Sequence, residues 1–136
     1  MSGVLKRILA AIVCVLCAFP ALGQTLGALA RFEGGQLTDR WGGAELRLEI
    51  SQGVPWRVFT LTEPNRLVMD FREVQWGDVD PQSLIDAERV TSLRMGGYRP
   101  GWSRLVADLA EPMTVESAEL VTDSTTGAAR ITVRLE

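Results

Sequence analysis

The chain has 136 residues with 14 basic and 17 acidic side chains, a net charge of −3 and no histidine. An acidic chain of this kind is a poor partner for a phosphate backbone, and without histidine it lacks Ser/His and Cys/His nucleophile systems and the commonest zinc ligand. Only carboxylate chemistry stays open, and the acids alternate with apolar residues along strand-like segments instead of gathering in one place.

The N-terminus has the layout of an export signal. Lys6 and Arg7 precede an uninterrupted apolar run from Ile8 to Phe19, Pro20 breaks it, and Ala21-Leu22-Gly23 supplies small residues for cleavage after Gly23. The run is shorter than the roughly 20 residues that span a bilayer, so membrane contact is expected only through an uncleaved signal. Cys14 and Cys17 follow bulky residues, Ile12-Val13 and Val15-Leu16, and neither fits a lipidation site. Cleavage removes both cysteines and leaves 113 residues without thiol, disulfide or cysteine metal ligand, enough for one domain. Loss of Lys6 and Arg7 takes the net charge from −3 to −5. Every remaining base is arginine, whose planar fork suits carboxylates; a codon bias toward arginine explains the same composition.

Beyond a lead-in at 24–43, expected to be partly strand, the period is two. Glu45 to Ile50, Arg66 to Phe71, Arg104 to Leu109 and Arg130 to Leu135 alternate polar and apolar, which predicts strands with one buried face. Trp56 to Leu61, Val90 to Met95 and Thr114 to Leu120 complete the set. Turns are expected at Pro64-Asn65, Gly96-Gly97, Pro100-Gly101 and Asp123 to Gly127. Asp80 as N-cap before Pro81 predicts one short helix running to Arg89. Together these specify an all-β antiparallel sandwich or barrel with one connecting helix over 44–136.

The strands also repeat as a set. Leu48-Glu49-Ile50-Ser51, Val54, Leu61 and Arg66-Leu67-Val68 match Ala107-Asp108-Leu109-Ala110, Met113, Leu120 and Arg130-Ile131-Thr132. The offset is 59 as far as Leu61/Leu120 and 64 beyond it, the difference falling in the Asp123 to Gly127 loop. Two copies of a strand-loop-strand-turn-strand unit predict two similar small sheets packed face to face with pseudo-twofold symmetry.

These segments resemble a known family. Arg57-Val58-Phe59-Thr60-Leu61, Pro64-Asn65 and Arg66-Leu67-Val68-Met69-Asp70-Phe71 are similar to the first signature of AMIN domains. Val90 to Met95, Gly97-Tyr98-Arg99-Pro100-Gly101 and Arg104-Leu105-Val106-Ala107-Asp108-Leu109 are similar to the second. The resemblance covers residues 44 to 135. It implies a symmetric pair of sheets, a periplasmic location, no cofactor and no catalytic residue, peptidoglycan binding and recruitment to the division septum. Such domains precede the zinc amidase domain of N-acetylmuramoyl-L-alanine amidases and open type IV pilus secretins. The expected function is therefore a non-catalytic wall-targeting module in cell-wall hydrolysis and daughter-cell separation. The alternative is a docking module for other envelope or divisome proteins.

Binding residues are sought on outward faces and loops. Alternation directs Arg66, Val68 and Asp70 outward on one strand and Arg104, Val106 and Asp108 outward on its counterpart. Arg66 and Asp70 are too far apart along the strand to pair, so they look across strands or to a ligand. Trp56 is expected outward with Val58 and Thr60, and Tyr98, Arg99 and Trp102 lie in the glycine-rich loop. Arg66, Asp70, Arg104, Asp108, Trp56, Tyr98 and Arg99 are the candidate peptidoglycan contacts. The same charges also fit a solvated face with cross-strand ion pairs, and the aromatics fit core packing.

Overall fold

A computed structural model describes residues 29–136; the signal-like segment, its cleavage site and both cysteines lie outside them. Ten strands form: β1 Ala30–Arg40, β2 Gly43–Ile50, β3 Trp56–Leu61, β4 Arg66–Arg72, β5 Val74–Gln75, β6 Ile85–Asp86, β7 Val90–Arg99, β8 Trp102–Leu109, β9 Val115–Thr122 and β10 Ala129–Leu135. The first sheet runs β5-β1-β2-β10-β9, with β6 also against β1, and the second runs β3-β4-β8-β7.

The order of strands explains the sequence repeat. Under the offset of 59 and then 64, β2 corresponds to β8, β3 to β9 and β4 to β10. The second sheet, β3-β4-β8-β7, is therefore matched by β9-β10-β2-β1 in the first. Neither repeat makes a sheet alone. Each gives its first strand to one sheet and its second and third to the other, and the halves are joined by the ladders β4–β8 and β2–β10. Equivalent residues face each other in both ladders: Arg66 opposes Asp108, and Arg130 opposes Glu49.

Alternation sets what is buried. Leu46, Leu48, Ile50, Ile131, Val133 and Leu135 of the first sheet meet Leu67, Met69, Phe71, Leu93, Leu105 and Ala107 of the second in one continuous core. Trp76 closes one end, its ring 5.7 Å from both Phe32 and Phe71. Such inward faces, stripped of water, supply most of the favourable free energy, at roughly 25 cal/mol per Å² of apolar surface.

The helix, the wholly antiparallel pairing and the Gly96-Gly97 turn differ from the sequence expectation. The lead-in holds an 11-residue strand, β1, whose Gly34-Gly35 step lowers strand propensity but permits a close approach. A Cβ on Gly35 would lie 2.7 Å from the Arg47 carbonyl oxygen. The predicted helix to Arg89 is only a 3-10 turn, Pro81–Leu84, with Asp80 Oδ1 accepting from the Gln82 N–H. It stops because Ile85 and Asp86 pair in parallel with Leu37 and Thr38 of β1, and β5 pairs in parallel with the start of the same strand, so the sandwich is not wholly antiparallel. Gly96-Gly97 is not a turn either. β7 continues through it with a register shift before Arg99, and the reversal falls on Pro100-Gly101, where Gly101 has φ +79.

Candidate ligand-binding face

The outward face of the second sheet takes Arg57, Phe59 and Leu61 from β3, and Arg66, Val68, Asp70 and Arg72 from β4. Trp102, Arg104, Val106 and Asp108 of β8 and Ser92, Arg94, Tyr98 and Arg99 of β7 complete it. Six arginines here stand against two aspartates. The outward face of the first sheet is acidic instead, its groove lined by Glu33, Glu45, Glu49, Glu119 and Asp123 against Arg47, Arg130 and Arg134. A chain that is acidic overall thus concentrates positive charge on one of its two faces.

Toward the β7–β8 reversal this face holds a buried carboxylate. Asp70 is 1% exposed. Its Oδ1 accepts from Arg104 Nε at 2.7 Å, and its Oδ2 accepts from Arg104 Nη2 at 3.0 Å and from Arg57 Nε at 2.7 Å. The Arg104 hydrogen bonds, with those from Arg57, hold the carboxyl below its usual range against the opposing effect of burial. The same contact raises the Arg104 guanidinium. The Tyr98 ring caps the pair, with the Arg104 guanidinium carbon 3.5 Å from the ring centroid.

Asp108 is also committed. It accepts from the Ser92 hydroxyl in a short hydrogen bond and from Arg94 Nη1 at 2.7 Å, which together lower its pKa. The equivalent ladder on the first sheet is open: Arg130 Nη2 lies 2.9 Å from Glu49 Oε1, and Arg134 Nε lies 4.0 Å from Glu45 Oε1. A groove of about 830 Å³ runs along that face, and each of its three arginines has a glutamate of the same face within 4.0 Å.

The β7–β8 reversal is different. Arg72 lies 5.6 Å and Arg99 5.8 Å from the Trp102 ring centroid, and Arg99 is also 5.6 Å from that of Tyr98. Among the described residues neither Arg72 nor Arg99 has a carboxylate within 4.0 Å. An open pocket of about 420 Å³ lies beside Arg99, walled by Tyr98, Arg99, Gly101 and Trp102, with Glu73 and Ser103 also lining it. The Arg72 guanidinium rests on Gly101, where a Cβ would sit 3.6 Å from its Cζ.

The structure therefore brings Asp70, Arg104, Tyr98 and Arg99 together at one end of the face, with Arg66 and Asp108 toward the other. Trp56 does not join them. It pairs with Phe71 on the inward side and packs against the core, because the β3–β4 register turns Arg57, Phe59 and Leu61 outward instead. Asp70 is not a solvent-facing contact, since two guanidinium groups cover it. Arg57 and Arg72 went unrecognised in the sequence. Arg72 shares the phase of Arg66 and Asp70 and was legible there, whereas the phase of β3 depends on a register that β3 alone does not encode.

Comparison with known proteins agrees with this architecture. The family model of the AMIN domain matches residues 36–135. The chain belongs to the AMIN domain family. AMIN domains are non-catalytic modules that bind or target peptidoglycan in amidases and secretins, and they occur in periplasmic proteins. No curated protein matches the chain. Among the described residues no helix is long and apolar enough to cross a membrane. The AMIN match begins inside β1, earlier than the resemblance in the two strand signatures, which is consistent with β1 being the counterpart of β7.

Proposed function

We propose that this AMIN domain holds its protein against peptidoglycan through the outward face of the β3-β4-β8-β7 sheet, and that it serves wall hydrolysis at the septum during daughter-cell separation. The observation that carries the reading is the charge asymmetry of the two faces: six arginines with two aspartates on one, five acidic side chains with three arginines along the groove of the other. Peptidoglycan stem peptides are rich in carboxylates and its glycan offers apolar ring faces, so an arginine surface with exposed Tyr98 and half-buried Trp102 suits it chemically. Periplasmic export by the segment ending at Gly23 belongs to the same reading.

The test is sedimentation of the purified chain with isolated sacculi. The chain is expected to pellet at low ionic strength and to be released by salt, because screening weakens exposed charge contacts. Arg66→Gln with Arg72→Gln should weaken pelleting, while Arg47→Gln with Arg130→Gln on the other sheet should not. A chain that stays in the supernatant with intact sacculi overturns the proposal in favour of docking to envelope proteins.

A further inference from the structure

We infer that the β7–β8 reversal is a carboxylate subsite for the stem peptide, with Arg72 and Arg99 gripping the ligand beside the Trp102 ring. This rests on the wall-binding reading and specifies which chemical part of the wall is recognised.

Arg57, Arg94 and Arg104 are each bound to an aspartate of their own sheet, so their donors already have partners. Arg66 faces Asp108 across the ladder and contributes to lowering its pKa. Arg72 and Arg99 have aromatic neighbours but no anionic one among the described residues. Stacking on an indole fixes a guanidinium plane while leaving its edge donors free, and that edge is the part which binds a carboxylate bidentately. Arg72 on β4 and Arg99 on β7 flank Trp102 of β8 as its cross-strand neighbours, and Arg99 and Trp102 line the pocket of about 420 Å³.

The surroundings hold the arrangement in place. Arg72 is the last residue of β4 and Trp102 the first of β8, and they are direct cross-strand partners, as are Arg99 and Trp102 in β7–β8. The Glu73 N–H donates to the Gly101 carbonyl at 2.9 Å, tying the chain after Arg72 to the turn. Glu73 itself lines the pocket, so the site presents an anionic wall as well as a cationic one. The unlinked side-chain end of a diamino diacid in the stem peptide, with its carboxylate toward the arginines and its ammonium toward Glu73, meets both; an uncharged sugar ring meets neither. That favours peptide over glycan as the occupant.

The experiment compares the purified chain on intact sacculi with the chain on glycan strands stripped of stem peptides by amidase digestion and then amidated, to cap the lactyl carboxylates that digestion frees. It also titrates the chain with a soluble stem peptide bearing free carboxylates and with the same peptide amidated. Intact sacculi and the free-acid peptide should bind; stripped glycan and the amidated peptide should bind roughly ten-fold or more weakly, as the loss of a charge-assisted contact implies. Arg72→Ala with Arg99→Ala should reduce binding of the free-acid peptide to the level of the amidated one. Arg72→Lys with Arg99→Lys should restore it only partly, because lysine keeps the charge but not the fork. Equal binding to intact and stripped material, with the double variants unaffected, overturns the subsite and leaves the wall-binding reading standing. No binding of the wild-type chain to intact sacculi overturns both.

Discussion

Arg104 is the residue whose removal tests the structural account most sharply. From the sequence it is an exposed strand arginine, dispensable to stability. In the structure it is the first partner of a carboxylate that is 1% exposed. Arg104→Ala deletes two charge-assisted hydrogen bonds and leaves Asp70 with Arg57, whose own side chain is 56% exposed and gives incomplete compensation. Losing hydrogen bonds to a charged group costs about 1.5–3 kcal/mol, and stranding a buried ion costs about 3–5 kcal/mol. With Arg57 remaining, a loss of about 2–3 kcal/mol is expected, or roughly 10–20 °C in the thermal midpoint of a domain this size. The assay is thermal or urea unfolding of wild type, Arg104→Ala, and a variant combining Asp70→Leu with Arg104→Met. The combined variant should recover most of the loss, since replacing both members of a buried pair is often close to neutral. The difference between wild type and Arg104→Ala should also shrink in acid, once Asp70 is protonated in both. A midpoint shift below about 3 °C for Arg104→Ala would refute the claim that this pair is structural.

Three further outcomes follow from the same coordinates. Asp39, Asp70, Asp108 and Asp123 all have pKa values lowered by hydrogen bonds made only in the fold. Their contribution is present above the unfolded value near 3.9 and is lost as pH falls through the lower folded values, so a pH series of urea midpoints should be flat from neutral to about pH 5 and decline below about pH 4. Gly43→Ala should destabilise by about 2 kcal/mol or more, since a Cβ there would lie 1.8 Å from the Leu135 carbonyl oxygen and force the β2 and β10 backbones apart; a wild-type unfolding midpoint would contradict it. Trp41, fully exposed at the tip of the β1–β2 hairpin, buries nothing, and Trp41→Ala should move stability by less than about 0.5 kcal/mol while removing a water-exposed component of tryptophan fluorescence.

What the sequence determined by itself was the seven longer strands after the lead-in, β2, β3, β4, β7, β8, β9 and β10, and the inward residues of those that alternate strictly. Alternation is a local property: once Leu67, Met69 and Phe71 share one side of β4, their burial and the outward phase of Arg66 and Asp70 follow from the two-residue period. The repeat was legible for the same reason, since it lies in spacing along the chain. The partners of those strands were not. That each repeat divides its strands between two sheets, that β1 runs along β2, and that Trp56 turns inward all depend on register, and a shift of one residue exchanges every side chain between core and solvent. The site depends on pairing still more. Asp70, Arg57 and Arg104 come from three strands, and only their alignment converts an outward aspartate into a buried one held by two guanidinium groups. The same alignment leaves Arg72 and Arg99 beside Trp102 without a carboxylate, because ion pairs form where opposite charges are brought within reach, and that reach is set by tertiary structure.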